Sequence, residues 1–167
     1  MRHFLRIIPP LLIAAVLAAG TAGVRAATIK ATVKAKLVKP LVLSARQNLD
    51  FGQIVVPATA GTRIVSISQA GVLTCGAGLT CSGAARQAIF NVSGSNGQVA
   101  RISTATSILT NGAGGTIIFT PSAPASVTFT NSGNAGLDFG VGGSIPLTSA
   151  TSDGLYSGTV EVTVDYP

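Results

Sequence analysis

The sequence has no tryptophan, two cysteines and a single histidine, His3, which lies in an N-terminal segment that we expect to be removed on export. A mature chain without histidine lacks the side chain that most often serves as a general base and as a zinc ligand. The five acidic residues show no Asp-x-Asp spacing of a calcium loop, and no Gly-x-Ser-x-Gly elbow marks a serine nucleophile. We therefore expect that the protein is not an enzyme and that it has no metal and no cofactor.

The first 26 residues have the features of a secretory signal peptide. A basic start precedes an apolar stretch from Ile7 to Ala19, and Val24 and Ala26 are compact residues at the positions that a signal peptidase reads. A retained anchor helix is the alternative, but the apolar stretch is short for a membrane span. We expect residues 1–26 to be cleaved, which leaves 141 residues, the size of one domain with its own core. The mature protein would then be exported through the periplasm, without a membrane span, to the cell surface or the medium.

Charge is scarce and unevenly distributed. After cleavage eight basic residues remain against five acidic ones, and half of the basic ones belong to one short segment, at Lys30, Lys34, Lys36 and Lys39. From Pro40 onwards the net charge is −1. A nucleic-acid surface normally interleaves basic residues with aromatic ones on a folded face, and this pattern is absent here. We expect no nucleic-acid partner, and lysines along one strand face are a common device for solubility.

The two cysteines lie close together in the stretch TCGAGLTCSG, at Cys75 and Cys81. In an exported chain such a pair predicts a disulfide bond. A redox or metal pair is the alternative, but the spacing is not Cys-x-x-Cys and no histidine lies nearby. In the chain-entropy description a loop of this length stabilises the fold by about 2.5 kcal/mol.

Short runs rich in Val, Ile, Thr and Phe alternate with clusters of Gly, Ser, Asn and Pro, and helix signals are nearly absent after the signal peptide. This pattern predicts an all-β fold, an antiparallel sandwich or barrel. Ser95-Asn96-Gly97 is typical of a tight hairpin, and we interpret the glycine-rich stretches NGAGG and FGVGG as loops. The predicted strands are Thr28–Val38, Leu41–Ala45, Asp50–Val56, Thr62–Ser68, Gln87–Ser93, Gln98–Thr104, Gly115–Thr120, Ala125–Thr130, Gly143–Thr148 and Ser157–Tyr166.

Both ends of the mature chain alternate strictly between apolar and polar residues, which predicts a one-sided strand at each end. The opening segment, ATIKATVKAKLVKP, has Lys30, Thr32, Lys34 and Lys36 on its polar side. Its apolar side consists of Ile29, Ala31, Val33, Ala35 and Leu37. The last stretch, GLYSGTVEVTVDYP, has Tyr156, Val160, Val162, Val164 and Tyr166 on its apolar side.

These ends resemble those of bacterial pilins of the chaperone–usher type. The resemblance is closest to the surface-protein families related to spore coat protein U and to an uncharacterised proteobacterial relative. In such pilins the last strand has a penultimate tyrosine and a glycine fourteenth from the end, and here these are Tyr166 and Gly154. LDFG near the start of the body and YSGTVEVTVDY at the end also match, whereas residues 62–149 carry little similarity. Pilins often have a longer disulfide loop than the one that Cys75 and Cys81 would close.

The resemblance implies an immunoglobulin-like sandwich over residues 40–167 that lacks one strand, preceded by a donor strand within residues 27–39. The donor positions would be Ile29, Ala31, Val33, Ala35 and Leu37. The strand from Gly154 to Tyr166 would be held by a periplasmic chaperone before an outer-membrane usher assembles the subunits. The partners would be further copies of this chain or related pilins, in a fimbrium or coat with a role in cell adhesion.

The opening strand has two possible uses. Pro40 has a fixed negative φ, whereas tight two-residue hairpin turns need positive φ, so the chain is pushed to continue extended and to serve a neighbouring subunit. The alternative is one long kinked edge strand of a complete sandwich. The protein would then be a monomeric secreted binding module, for example a glycan-binding adhesin domain that uses its Gly/Asn/Ser-rich loops.

Overall fold

The structure is a computed structural model, and it describes residues 26–59, 61–130 and 135–167. Apart from Ala26, the predicted signal peptide lies outside the described residues. The chain divides into two compact units, Met1–Ala35 and Lys36–Pro167. Of the first unit, residues 26–35 are described, and they form no helix and no strand.

The second unit is built from strands that are all paired in antiparallel fashion. Within the described residues there are twelve strands and no helix, which confirms the predicted all-β class. Accordingly, no helix in the described residues is long and apolar enough to cross a membrane. The strands are β1 (Val42–Gln47), β2 (Gln53–Val55), β3 (Arg63–Ile67), β4 (Leu73–Thr74), β5 (Thr80–Ser82), β6 (Ala88–Ser93), β7 (Val99–Thr104), β8 (Ser107–Thr110), β9 (Thr116–Ser122), β10 (Ser126–Thr128), β11 (Leu137–Leu147) and β12 (Val162–Asp165).

The strands form two principal sheets and one small one. The larger sheet has the order β1-β6-β11-β3-β4, with β9 also on β11 and β8 on β9. The second sheet has the order β10-β7-β12, and β2 pairs with β5 in a small separate ladder. The long strand β11 joins the two halves of the larger sheet, because its first half pairs with β6 and its second half pairs with β3 and β9.

The core lies between the two principal sheets. One cluster of buried residues joins Val92 and Phe139 of the larger sheet to Ala100 and Ile102 of the second sheet. The clustering of inward-facing side chains from two antiparallel sheets is the packing of a β-sandwich, and the predicted fold class is confirmed. A second cluster extends the core beneath β3, β9 and the end of β11, and it consists of Val65, Ile117, Phe119, Ile145 and Leu147.

One stretch that we predicted as a loop is a strand. FGVGG lies in the middle of β11, and its glycines are required there by close packing. A Cβ on Gly142 would collide with the backbone carbonyl of Ile67, and one on Gly143 would collide with the ring of Phe119. Glycine in a strand interior often marks such close approach of a neighbouring group.

The predicted hairpin at Ser95-Asn96-Gly97 is also wrong. The turn is present, and Gly97 has a φ of 71°, but the strands on either side, β6 and β7, belong to different sheets. Instead of closing a hairpin, the turn leads into the second sheet, where Gly97 N donates at 2.8 Å to the carbonyl oxygen of Phe129, the residue after β10. The predicted tight turn is therefore present, but the predicted pairing of the two flanking strands with each other is wrong.

Other boundaries differ from those predicted. The last strand is shorter than Ser157–Tyr166, since only Val162–Asp165 is paired in a ladder, and Ser157 forms an isolated bridge with Thr110. Residues 28–38 are in no strand. The short strands β4, β5 and β8 were not predicted, because runs of two to four residues leave too little periodicity to detect.

The predicted disulfide between Cys75 and Cys81 is confirmed, with a Cα–Cα distance of 6.0 Å. Cys81 lies in β5 and packs against the second core cluster. The bond therefore fixes the segment that follows β4 to the small β2–β5 ladder. No other cysteine is present in the chain.

Candidate functional site

The second unit has two strand edges that face a common part of the core. In the described residues β1 pairs only with β6, and β12 pairs only with β7. Each strand therefore has one edge whose backbone N–H and C=O groups enter no ladder. Unpaired edges of this kind bind further strands readily, and natural proteins cover or disrupt them when no partner is intended.

The side chains along these two edges are incompletely buried although they point into the core. Leu41 and Leu43 at β1, and Val162 and Val164 of β12, all pack against the first cluster, yet none of them reaches full burial. By contrast, Ile67 points inward from β3, a strand that is paired on both edges, and its side chain is almost fully buried. Apolar surface thus stays accessible along both edges, at Leu41, Leu43, Leu49, Val160, Val162, Val164 and Tyr166.

At one end the two edges are joined through Tyr166. Its hydroxyl donates to the carbonyl oxygen of Lys39 at 2.9 Å and accepts a hydrogen bond from Ser95 N at 2.9 Å. Its ring meets that of Phe129 edge to face, with 6.4 Å between centroids. A Cβ on Gly94 would lie 2.6 Å from the Tyr166 hydroxyl, so a residue with a side chain at that position would displace the ring.

The two edges run in opposite directions. Lys39, just before β1, meets Tyr166, just after β12. At the other end, Leu49 and Val160 each pack against both core clusters, so they lie at the boundary between the clusters. β1 therefore begins where β12 ends, and a strand placed between them would be antiparallel to one and parallel to the other.

The residues that precede β1 are fixed to this body at the Tyr166 end. Lys39 N donates to Ser95 Oγ at 2.6 Å, and Lys36 Nζ donates to Gln98 Oε1 at 2.7 Å. Together with the Tyr166–Lys39 hydrogen bond, these contacts determine where the chain leaves the sandwich. The exit lies at the end of β12 that carries Tyr166.

The apolar side chains of the opening segment are exposed. Ile29, Val33 and Leu37 have 92%, 91% and 90% of their surface accessible, and Ala31 and Ala35 are exposed as well. An isolated β-strand has no backbone hydrogen bonds of its own and needs a neighbour to form. The segment thus has the sequence pattern of a half-buried strand without the burial.

The residues predicted for the C-terminal strand fall into two groups. Val160, Val162, Val164 and Tyr166 lie at the candidate site, where they pack against the first cluster. Gly154 and Tyr156 lie elsewhere, in the segment between β11 and β12 beside Asn111. Tyr156 packs against the second cluster, and its hydroxyl donates to Ser152 O at 2.9 Å. Gly154 has a φ of 137°, a conformation that favours glycine.

Sequence reasoning missed the other half of the site. Leu41 and Leu43 alternate with exposed residues, and this pattern predicts the strand β1 and its inward face. The pattern does not predict which strand shares the same part of the core. Ser95 was read as part of a hairpin, whereas its backbone and its hydroxyl hold Tyr166 and Lys39. These contacts join residues 56 and 71 positions apart, and no local pattern predicts them.

Charges lie on the outer face of the site. Glu161 and Asp165 are exposed and alternate with the inward valines of β12. Within the described ranges the ion pairs are Arg46 with Asp138, at 3.5 Å, and Arg86 with Asp50, at 3.7 Å, so neither acidic residue of the β12 segment takes part in one. The described residues contain no cluster of three or more side chains suited to a metal ion.

These features define the class of the protein: an all-β antiparallel sandwich in which two strand edges over a common core cluster are unpaired in the described residues. Residues 41–166 match the family model of a domain of unknown function (DUF4402), so the chain belongs to that family. No curated protein and no solved structure gives a significant match to the chain.

Proposed function

We propose that the protein is a structural subunit of a bacterial surface fibre or coat, and that subunits join when the opening segment of one copy completes the sandwich of the next. One observation carries this proposal: the unpaired edges of β1 and β12 leave half-buried apolar side chains over the first core cluster. A β-strand inserted between them would supply ladder hydrogen bonds to both edges and would bury these side chains, as in other cases of strand addition.

The occupant is the opening segment of a second copy. The segment has one continuous, exposed apolar side that is long enough for a strand of about nine residues. This side consists of Ile29, Ala31, Val33, Ala35 and Leu37. Burial of these side chains contributes roughly 6–9 kcal/mol, whereas ordering the backbone costs on the order of 9–18 kcal/mol. Ladder hydrogen bonds at about 0.5–1.5 kcal/mol each supply the difference, which requires a groove with open edges on both sides.

The exit point of the chain favours use by a neighbour. The segment leaves the body at the Tyr166 end of β12, where Lys36 and Lys39 are hydrogen-bonded to the body. A strand folded back from this point would run parallel to β12. A strand from a second copy in a head-to-tail chain arrives from the opposite end and runs antiparallel to β12. Pro40 disfavours the tight turn that folding back requires.

The same edges require protection before assembly. Exposed apolar edges aggregate unless they are covered. The proposal therefore includes a periplasmic chaperone that occupies the β12 edge, and an outer-membrane usher at which the next subunit replaces the chaperone. The protein is then exported, located at the cell surface and without catalytic activity, and its immunoglobulin-like sandwich is one strand incomplete.

The test compares the native mass of the mature protein, Ala27–Pro167, with a version that lacks residues 27–35, by light scattering after periplasmic expression. The truncation keeps the whole second unit, including the contacts of Lys36 and Lys39. We expect ladders of multimers from the full-length protein, and a small, less stable truncated protein that a peptide of residues 27–38 stabilises. Stable monomers from both versions would overturn the proposal and favour a complete, monomeric sandwich that binds a ligand such as a glycan through its loops.

A further inference from the structure

We infer that opposite charges set the register in which one copy's opening segment pairs with β12 of the next copy, an inference that rests on the function proposed above. The outward residues of the opening segment follow the order basic, threonine, basic: Lys30, Thr32 and Lys34. The outward residues of the β12 segment follow the order acidic, threonine, acidic: Glu161, Thr163 and Asp165. The two patterns have the same spacing and opposite charge.

All six side chains are available for this pairing. Each of them is exposed, and they alternate with apolar residues that point the other way. In the described residues neither Glu161 nor Asp165 takes part in an ion pair. Arg101 of β7 lies opposite Asp165 in the existing ladder, so a lysine on the open side of β12 would place Asp165 between two cations.

The antiparallel arrangement derived above then fixes the partners. Residues directly opposite one another in an antiparallel pair share a face, and opposite charges and threonine pairs at such positions are favourable. With Thr32 opposite Thr163, Ala31 faces Val164 and Val33 faces Val162, so the apolar sides meet in the same register as the charges. The outward pairs are Lys30 with Asp165, Thr32 with Thr163 and Lys34 with Glu161.

A shift by two residues keeps the apolar side inward but removes one or both ion pairs, because a lysine then faces Thr163 and a threonine faces one of the acidic residues. One of the two shifted registers keeps a single pair, Lys36 with Glu161. Alternation alone therefore permits several registers, and the charges distinguish between them. Lys36 has a different role, since its ammonium group is bonded to Gln98 of its own body. In this register it would face Thr159, outside the acidic pair.

The test uses charge reversal in full-length mature chains, with polymerisation followed by light scattering. Variant K30E/K34E carries acidic residues on the opening segment, and variant E161K/D165K carries basic residues on β12. Each variant alone brings like charges together at both positions, so we expect polymerisation at least about tenfold slower than in the wild type. Mixed in equal amounts, the two variants should form alternating polymers, and the chain with all four substitutions should polymerise alone.

The single variant K36E is the matched control. It changes the charge of the opening segment as K34E does and also removes the Lys36–Gln98 hydrogen bond, but it lies outside the acidic pair. We therefore expect it to slow polymerisation less than K34E. All the substituted side chains are exposed, and the thermal unfolding of monomeric K30E/K34E and K36E should match that of the wild type. Variants with D165K place a lysine opposite Arg101 of β7, so their midpoint should be slightly lower.

A pair of cysteine variants tests the direction. In mixed polymers, a K30C chain should form an intermolecular disulfide with a D165C chain. A K30C chain should not form one with an E161C chain, because residues 30 and 161 would meet only if the inserted strand ran parallel to β12. Two outcomes would show that the inferred register is wrong while the fibre proposal stands. In the first, the charge-reversed chains polymerise as fast as the wild type; in the second, the chain with all four substitutions does not regain wild-type polymerisation. If the wild type forms no polymers, the proposed function fails, and the register fails with it.

Discussion

The hydroxyl of Tyr166, the penultimate residue, donates a 2.9 Å hydrogen bond to the carbonyl oxygen of Lys39, 127 positions earlier in the chain. The same hydroxyl accepts from Ser95 N, so a single side chain links the end of β12, the turn after β6 and the residue before β1. This junction places the exit of the opening segment beside one end of the unpaired β12 edge. Its geometry supports the head-to-tail direction of the proposed assembly.

Replacement of Tyr166 with Phe removes both hydrogen bonds and leaves the ring contact with Phe129. We expect the free energy of unfolding to fall by about 1–3 kcal/mol, since two hydrogen bonds of about 0.5–1.5 kcal/mol each are lost. Urea unfolding of the mature protein measures this change. Tyr156→Phe is the control: its hydroxyl bonds Ser152 O and Ser152 Oγ, four residues away in an exposed loop, and meets Asn111 Nδ2 at 3.5 Å, the limit of a hydrogen bond. Because these contacts are local or weak, the substitution should cost less. Equal losses would contradict a special role for the Tyr166 junction.

Replacement of Val33 with Asp should abolish polymerisation and leave the body folded. The substitution places a carboxylate on the side of the opening segment that is proposed to enter the groove, where an unpaired charge is costly to bury. Light scattering measures assembly, and circular dichroism measures the fold. Thr32→Asp introduces the same carboxylate one residue away, on the solvent-facing side, and should weaken assembly far less. Polymers formed at the normal rate by Val33→Asp would exclude the proposed strand insertion.

Two isoleucines of β3 test the assignment of its faces. Ile67 is 1% exposed and lies in the core, whereas Ile64 is 59% exposed on the outer face. Ile67→Ala should lower the free energy of unfolding by about 2–5 kcal/mol, and Ile64→Ala should change it by no more than about 0.5 kcal/mol. Chemical denaturation of the two variants measures the difference. A larger loss for Ile64→Ala than for Ile67→Ala would show that the larger sheet faces the core with its other side.

Replacement of Gly142 with Ala should disrupt the pairing of β11 with β3. A Cβ at this position would collide with the backbone carbonyl of Ile67, which moves only if the strand moves. We expect a lower thermal midpoint or a failure to fold. Gly61→Ala is the matched control, because a Cβ there has no neighbour within 4 Å, and its midpoint should stay within a few degrees of the wild type. A stable Gly142→Ala variant would refute the close approach of the two strands.

Removal of the disulfide should destabilise the body without changing its fold. The double variant Cys75→Ser/Cys81→Ser releases a loop with a sequence separation of six, for which the chain-entropy description gives about 2.5 kcal/mol. Urea unfolding of the variant, compared with the oxidised wild type, measures the loss. Reduction of the wild type should produce a similar loss. No change in either case would mean that the β2–β5 ladder holds this region unaided.

The sequence by itself determined the class of fold and the faces of its strands. Alternation with a period of two places Val65 and Ile67 on one side of β3, and this assignment depends only on the geometry of an extended chain. The close spacing of Cys75 and Cys81 determined the disulfide in the same local way. The one-sided pattern of the opening segment also needs no tertiary information, although the molecule that covers it stays a prediction.

Tertiary structure alone decided which strands are neighbours. FGVGG has the composition of a loop and is a strand, because its glycines let Ile67 and Phe119 approach closely from other elements. The Ser95-Asn96-Gly97 turn looks like a hairpin and instead passes from one sheet to the other, where Phe129 O holds it. A local pattern fixes backbone conformation and the direction of side chains, whereas the partner of an edge depends on contacts between residues far apart in the chain. For this reason the alternation at the end of the chain indicated β12, whereas only the fold placed the unpaired edges of β1 and β12 over a common core cluster.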